Sequence, residues 1–283
     1  MKIVLFLNRD LQANIAYNLL KPELLKHTVR IYYSDAVGSP KNKPSALLKL
    51  EYYETGFLFE ELPKLMNENK MEYVFEFFDD NFKSFTFEKC ADVNSVGFIN
   101  EMKGFSPDLF VSIRFGKIFK DEIIQVPKNG LINLHSAILP EFRGIMGTLH
   151  AINEQKQKIG CTLHTIHDSG IDTGGIIEIA TLDLNPYKSL FWNTVQLYPL
   201  GIELIIKNLR LFEHNKFPKI QKQNIQEGKY FSVPSTSDFE QMQRLGFQII
   251  SVEDYIAVLT TFILKNISEI DSLHLKNFMK QSW

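Results

Sequence analysis

Cysteine is scarce in this chain. Only Cys90 and Cys161 occur, far apart and without metal-ligand spacing, so neither a disulfide scaffold nor a cysteine-based metal site is expected. Charge of one sign is also lacking. With 31 Lys and Arg against 33 Asp and Glu, the formal charge of −2 gives no global field to attract nucleic acid or an anionic membrane. At the start, the apolar run Ile3 to Leu7 ends before Arg9. That is too short for a signal-peptide core or a membrane span, so a cytoplasmic protein without membrane attachment is expected. No Gly-x-Gly-x-x-Gly follows this first run, which leaves out the dinucleotide fingerprint. Internal repeats and low-complexity tracts are missing too.

What is present is an alternation of strands and helices. Ile3 to Leu7, Val29 to Tyr33, Val74 to Phe78, Leu109 to Ile113, Leu131 to Leu134, Gly160 to Ile166 and Ile176 to Leu182 read as strands. Asp10 is placed to cap a helix running through Leu20. Ser39 to Pro44 reads as a loop, and Ala46 to Asn69 and Gly147 to Gln157 as helices. The Phe-rich stretch Phe75 to Phe87 reads as core rather than as a stacking platform. The pattern predicts an α/β fold with a doubly wound, mostly parallel sheet over residues 1–185. Residues 186–283 read as a small α-rich C-terminal extension. It holds a long helix from Ser189 to Phe212, a polar linker from His214 to Lys229, and a capping box Ser237-x-x-Glu240. A brief strand Phe247 to Ile250 and a helix Val252 to Leu264 follow.

The chemistry gathers in two short segments. One is Gly130-Leu131-Ile132-Asn133-Leu134-His135, a strand ending in Asn-x-His. The other is Gly170-Ile171-Asp172-Thr173-Gly174. Residues two apart on a strand share a face, so Asn133 and His135 point the same way. An amide can donate an N–H, an imidazole can give or take a proton near neutral pH, and a carboxylate can orient it. If their strands are neighbours, the three groups converge on one carbonyl, with donors in place for a developing oxyanion. His164 either lines such a site or packs under the sheet. His150 and His167 read as surface residues, and Asp168 as a turn former.

Asn133-Leu-His135, then Leu139-Pro140, Arg143-Gly144, Gly160-Cys-Thr162-Leu-His164 and Gly170-Ile-Asp172-Thr-Gly174 resemble the formyltransferases that use 10-formyltetrahydrofolate. The resemblance runs from about Phe105 to Leu184. It implies a Rossmann-like formyltransferase fold, 10-formyltetrahydrofolate as formyl donor, and a primary amine as acceptor. It also implies catalytic roles for Asn133, His135 and Asp172. The family's pteridine pocket would match Phe115, Gly116, Lys117, Ile118 and Phe119 on one side and His167, Asp168, Ser169, Gly170 and Ile171 on the other. Ala137 departs from the serine of many members, and Arg114 has no family role to inherit.

The acceptor stays open among a nucleotide-linked amino sugar, which is preferred, the methionyl group of a tRNA, and water in a hydrolase. A non-catalytic folate-binding regulator is the remaining reading. The missing basic footprint and the helical tail disfavour tRNA. The apolar faces of Leu190 to Leu211 and Tyr255 to Leu264 would either build a homodimer or pack on the catalytic domain.

Overall fold

A computed structural model describes residues 1–35, 43–80, 84–265 and 269–281. Residues 39–42 of the expected Pro-rich loop fall outside them. The first half of the chain runs β1 (Lys2–Asn8), α1 (Leu11–Leu24), β2 (Thr28–Ser34), α2 (Ser45–Glu51), a π-helical stretch (Tyr52–Glu61) and α3 (Leu62–Glu68). It continues with β3 (Phe87–Lys89), α4 (Val96–Phe105), β4 (Leu109–Ile113), α5 (Asp121–Ile124), β5 (Leu131–His135), β6 (Phe142–Gly144) and α6 (Gly147–Asn153). Then come β7 (Lys158–Ile166), β8 (Ile176–Asp183), α7 (Leu190–Val195), α8 (Leu197–Glu213), β9 (Lys229–Phe231), α9 (Thr236–Arg244), α10 (Val252–Phe262) and α11 (Glu269–Gln281).

Seven strands form one sheet in the order β3-β2-β1-β4-β5-β7-β8. The pairs from β3 through β5 are parallel, and β7 runs against both of its neighbours. This is the expected mostly parallel α/β sheet. Alternate residues of β1 feed two cores, as a strand's period of two requires. Ile3, Leu5 and Leu7 join α1 and α8 on one face. Val4 and Phe6 join Ile99 and Met102 of α4 and Ile123 of α5 on the other. Burial on both faces is what allows β1 and β4 to be almost wholly apolar. Asp10 caps α1, accepting from the Ala13 N–H at 2.9 Å.

Several local expectations are corrected. Ala46 to Asn69 is three joined pieces, with a ten-residue π-helical stretch in the middle. Val74 to Phe78 makes no strand. Phe75, Phe77 and Phe78 are buried as core side chains, and the third sheet strand is Phe87–Lys89. The long helix from Ser189 breaks into α7 and α8. Pro199 has no N–H to give the Val195 carbonyl and its ring crowds that turn, so α7 stops there. The capping box uses Ser235 and Asp238, because α9 begins earlier than the spacing implied. Phe247 to Ile250 forms no strand. Instead the carbonyls of Gln248 and Ile249 accept the first N–H groups of α7 at 2.8 and 2.9 Å, satisfying donors that a helix start leaves open.

The insert between β2 and β3 packs against the C-terminal helices. Tyr53, Phe57 and Leu58 share a core with Phe191, Tyr255, Leu259 and Leu275. The apolar faces of α8 and α10 are therefore buried within the chain. No helix among the described residues is long and apolar enough to cross a membrane.

Candidate active site

β5 delivers Asn133 and His135, and its antiparallel neighbour β7 places His164 opposite Asn133. That antiparallel pairing puts the end of β7 beside the start of β5. The loop after β7 folds back, and Asp172 sits at φ 54 within it. Its carboxylate reaches both imidazoles: Oδ2 is 3.5 Å from His135 Nδ1, and Oδ1 is 3.5 Å from His164 Nε2. The Gly144 N–H donates to Oδ2 at 2.8 Å.

The remaining contacts fix where protons lie. His135 Nε2 meets the Phe142 carbonyl at 2.7 Å, and a carbonyl only accepts, so Nε2 carries the proton. By the same reasoning His164 Nδ1 donates to the Thr165 carbonyl at 2.9 Å. His164 Nε2 is left to accept from the Asn133 amide at 3.0 Å. That bond uses one of the two amide hydrogens of Asn133, which lines the cavity. Burial pushes the Asp172 carboxyl up, but His135 and the Gly144 N–H outweigh it and hold its pKa down to about 2. Asp172 is thus an anion throughout the neutral range.

These groups face a cavity of about 340 Å³. Leu47 and Leu50 of α2, Met146, and Leu190 and Phe191 of α7 give it an apolar wall. Asn8, Asp10, Glu54 and Arg114 give it a polar end. Arg114, at φ 59 just past β4, donates through Nε to Asp10 at 2.8 Å and through Nη1 to the Tyr198 hydroxyl at 3.1 Å. Its Nη2 lies 3.5 Å from Glu54, whose other oxygen accepts from Gln12. Burial is the main influence on Glu54 and raises its pKa to about 7, even with Arg114 opposing. Lys43 is paired with Glu51 at 2.6 Å.

The residues expected to hold the pteridine are divided. Phe115 and Ile171 line the cavity. The Gly116 N–H donates to Ser34 Oγ at 2.8 Å. Lys117 follows it in the loop. Ile118 stands 55% exposed, whereas Phe119 is 3% exposed and turned into the core against Phe6. His167, Asp168, Ser169 and Gly170 form an exposed loop, in which Asp168 accepts from the Gly170 N–H at 2.8 Å.

Histidine 150 is a correction. It is buried, with its ring stacked on Phe231 at 3.9 Å, and burial lowers its pKa. Sequence reasoning left Arg114 without a role and did not single out Glu54. Their contacts link segments remote in sequence, and only the isolated polar residue on an apolar helix face hinted at Glu54. At the opposite end of α1, Glu23, His27 and Glu213 bring ligand atoms within 4.8 Å of one another, but Glu23 is already paired with Lys26 at 2.8 Å.

The profile of a family described as formyl transferase matches residues 76–190, which include Asn133, His135, His164 and Asp172. The methionyl-tRNA formyltransferase of Elusimicrobium minutum is 32% identical over 135 residues, 47% of this chain and 39% of that protein. That of Clostridioides difficile is 31% identical over 140 residues, 50% of this chain and 45% of that protein. The chain thus matches less than half the length of these curated relatives. Among solved structures, the N-formyltransferase of Helicobacter canadensis, in complex with folinic acid and dTDP-3-aminofucose, superposes with a TM-score of 0.54 at 21% identity. The match covers 89% of this chain and 82% of that one. A likely sugar N-formyltransferase of Mycobacterium tuberculosis gives 0.54 at 18% identity, over 85% and 78% of the two chains.

Proposed function

Since the chain belongs to the tetrahydrofolate-dependent formyltransferase superfamily, we propose that it moves a formyl group from 10-formyltetrahydrofolate to a primary amine. The observation that carries this reading is the single carboxylate of Asp172 facing two imidazoles beside the Asn133 amide, all at one cavity. In the transfer a C–N bond forms between the amine and the formyl carbon, and the bond to the donor nitrogen breaks. The amine gives up a proton and the donor nitrogen gains one. The free N–H of Asn133 and the protonated edge of His135 would stabilise the negative oxygen. His135 would exchange its present Phe142 partner for that oxygen. Asp172 would keep the imidazole oriented and balance its charge.

The formyl donor would be a substrate, and two of the residues that would hold it stand at the cavity. Phe115 and Ile171 provide apolar walls at the cavity edge, next to loops rich in backbone donors and acceptors. Gly116, Lys117, Ile118 and Phe119 on one loop, and His167, Asp168, Ser169 and Gly170 on the other, would supply the rest of that pocket.

For the acceptor the reading is a nucleotide-linked amino sugar. The cavity interior is apolar at α2 and α7, with carboxylates at its polar end to receive an amine. Both cations lining it, Lys43 and Arg114, are paired to carboxylates, so the phosphates of such a substrate would stay outside. A methionyl-tRNA acceptor is the second reading. The sequence relatives favour it, and Leu47, Leu50 and Phe191 suit a methionine side chain.

The test is an acceptor screen with 10-formyltetrahydrofolate, read by mass for the gain of one formyl group. It includes nucleotide-linked amino sugars, charged tRNA and a no-amine control. Formylation of an amine is expected. Folate release in the no-amine control alone would make the protein a hydrolase. Folate binding without turnover would make it a regulator.

A further inference from the structure

Asp172 occupies the left-handed region of the backbone, at φ 54, a conformation that side chains other than glycine adopt at some cost. Its carboxylate works only if that turn is held, since two imidazoles must share it. The contacts that hold it come from the segment 221–231, which the sequence presents as a polar linker and which lies beyond the matched residues 76–190.

The segment is fastened at both ends. Gln221 exchanges two backbone hydrogen bonds with Ile176, each of 2.8 Å. At the other end β9 pairs in parallel with β6, placing Phe231 opposite Gly144, and the Ile145 N–H donates to the Phe231 carbonyl at 3.0 Å. Gly228 passes so close to Pro140 that a Cβ there would lie 1.6 Å from its carbonyl oxygen. Between these anchors Gln223, 8% exposed, points its amide at the Asp172 loop. Its Nε2 donates to the Asp172 carbonyl at 3.2 Å and also to the Gly174 carbonyl. One amide thus ties both sides of the turn. The carboxylate end is held by the Gly144 N–H of β6, the strand that β9 supports.

We infer that Gln223 is a positioning residue for Asp172, and that the segment 221–231 is a strap completing the catalytic centre from outside the matched core. The inference rests on the proposed formyl transfer. Gln223 touches no reacting atom in it. Its amide fixes the main chain from which the carboxylate projects, so losing it lets the carboxylate drift from His135 and His164.

The experiment compares wild type with Q223M, which keeps the volume and removes the donor, and with Q223K, which restores an N–H donor. Three readouts are taken on the full chain: formyl transfer, thermal unfolding, and the titration of the Asp172 carboxyl by carbon NMR. For Q223M, kcat is expected to fall about 10- to 100-fold, as lost hydrogen bonds worth about 1.5–3 kcal/mol would give. KM should stay within about twofold, and the Asp172 midpoint should rise from its depressed value toward the ordinary carboxylate range. Q223K should recover part of kcat. Wild-type kcat and midpoint in Q223M would overturn the inference. So would a loss of kcat that tracks a fall in melting temperature with no change in the Asp172 titration. Should Q223M not fold, Q223A is read by the same criteria. If the wild type transfers no formyl group but the Asp172 midpoint moves in Q223M, the strap stands and the enzymatic reading fails.

Discussion

The Asn133 amide donates to Nε2 of His164 over 3.0 Å, so this histidine fixes the orientation of the amide. His164 is 1% exposed and its other nitrogen is held by the Thr165 carbonyl, so the ring has one orientation. Replacing it with alanine frees the Asn133 amide from its partner. A loss of up to about 10-fold in kcat is expected, from a neutral hydrogen bond worth about 0.5–1.5 kcal/mol. Steady-state formyl transfer by His164→Ala checks this, and unchanged kcat would remove His164 from the site.

His135→Ala and Asp172→Ala should lower turnover by about 10²- to 10⁴-fold, the usual worth of a positioned proton-transfer group. Circular dichroism should show the fold intact. Near-wild-type formylation by either variant would end the role assignment.

Asp172 also gives a pH signature. Its folded pKa is lowered to about 2. The stability it contributes is present above the ordinary carboxylate value and is lost as pH falls from about 4 to about 2. For a shift of this size the amount is on the order of 2 kcal/mol. Denaturant unfolding over that window should show a shallower loss for Asp172→Asn than for wild type. Parallel curves would contradict the carboxylate's pairing.

Glu54 acts in the opposite sense. Burial raises its pKa to about 7, so the folded chain holds this proton more tightly than the unfolded chain. Its contribution is complete below about pH 4.5 and fades as pH rises through 7, by on the order of 2–3 kcal/mol. In Glu54→Gln the amide oxygen can still accept from Gln12, while the titration is gone. Melting temperatures from about pH 5 to pH 8 should therefore fall less steeply in the variant. Equal slopes would show that Glu54 is ionised throughout.

The sheet and the pair Asn133 and His135 were legible because they are local. Alternate positions on one strand share a face, and β1, β4 and β5 are apolar enough to declare burial on both sides. Asp172 was legible as a motif, but its approach to His135 was not. The reversal of β7 and the fold-back of the loop depend on pairing rather than on local pattern. The π-helical stretch keeps apolar residues at spacings close to those of an α-helix, so the sequence showed one helix where there are three pieces. Gln223 was hidden for another reason. A glutamine among polar neighbours looks solvated, and only its contact with Asp172, 51 residues away, sets it apart.

The insert and the tail meet through the Tyr255 hydroxyl, which donates to the Tyr53 carbonyl at 2.8 Å in a buried setting. Tyr255→Phe removes that hydrogen bond. A loss of about 1 kcal/mol is expected, a drop of roughly 2–4 °C in melting temperature. Thermal unfolding of the purified variant measures it, and an unchanged midpoint would mean the bond is not maintained in solution.

That contact spans 202 residues of chain, and it has a consequence for biosynthesis. The greasy side chains of Tyr53, Phe57 and Leu58 leave the ribosome long before the helix bearing Tyr255 is made. At about 5–20 residues per second, they wait on the order of ten seconds or more without their cover. During that interval the nascent polypeptide displays a sticky surface, and chaperones have a defined place to engage it. The cover over this core arrives only with α10, 202 residues after Tyr53.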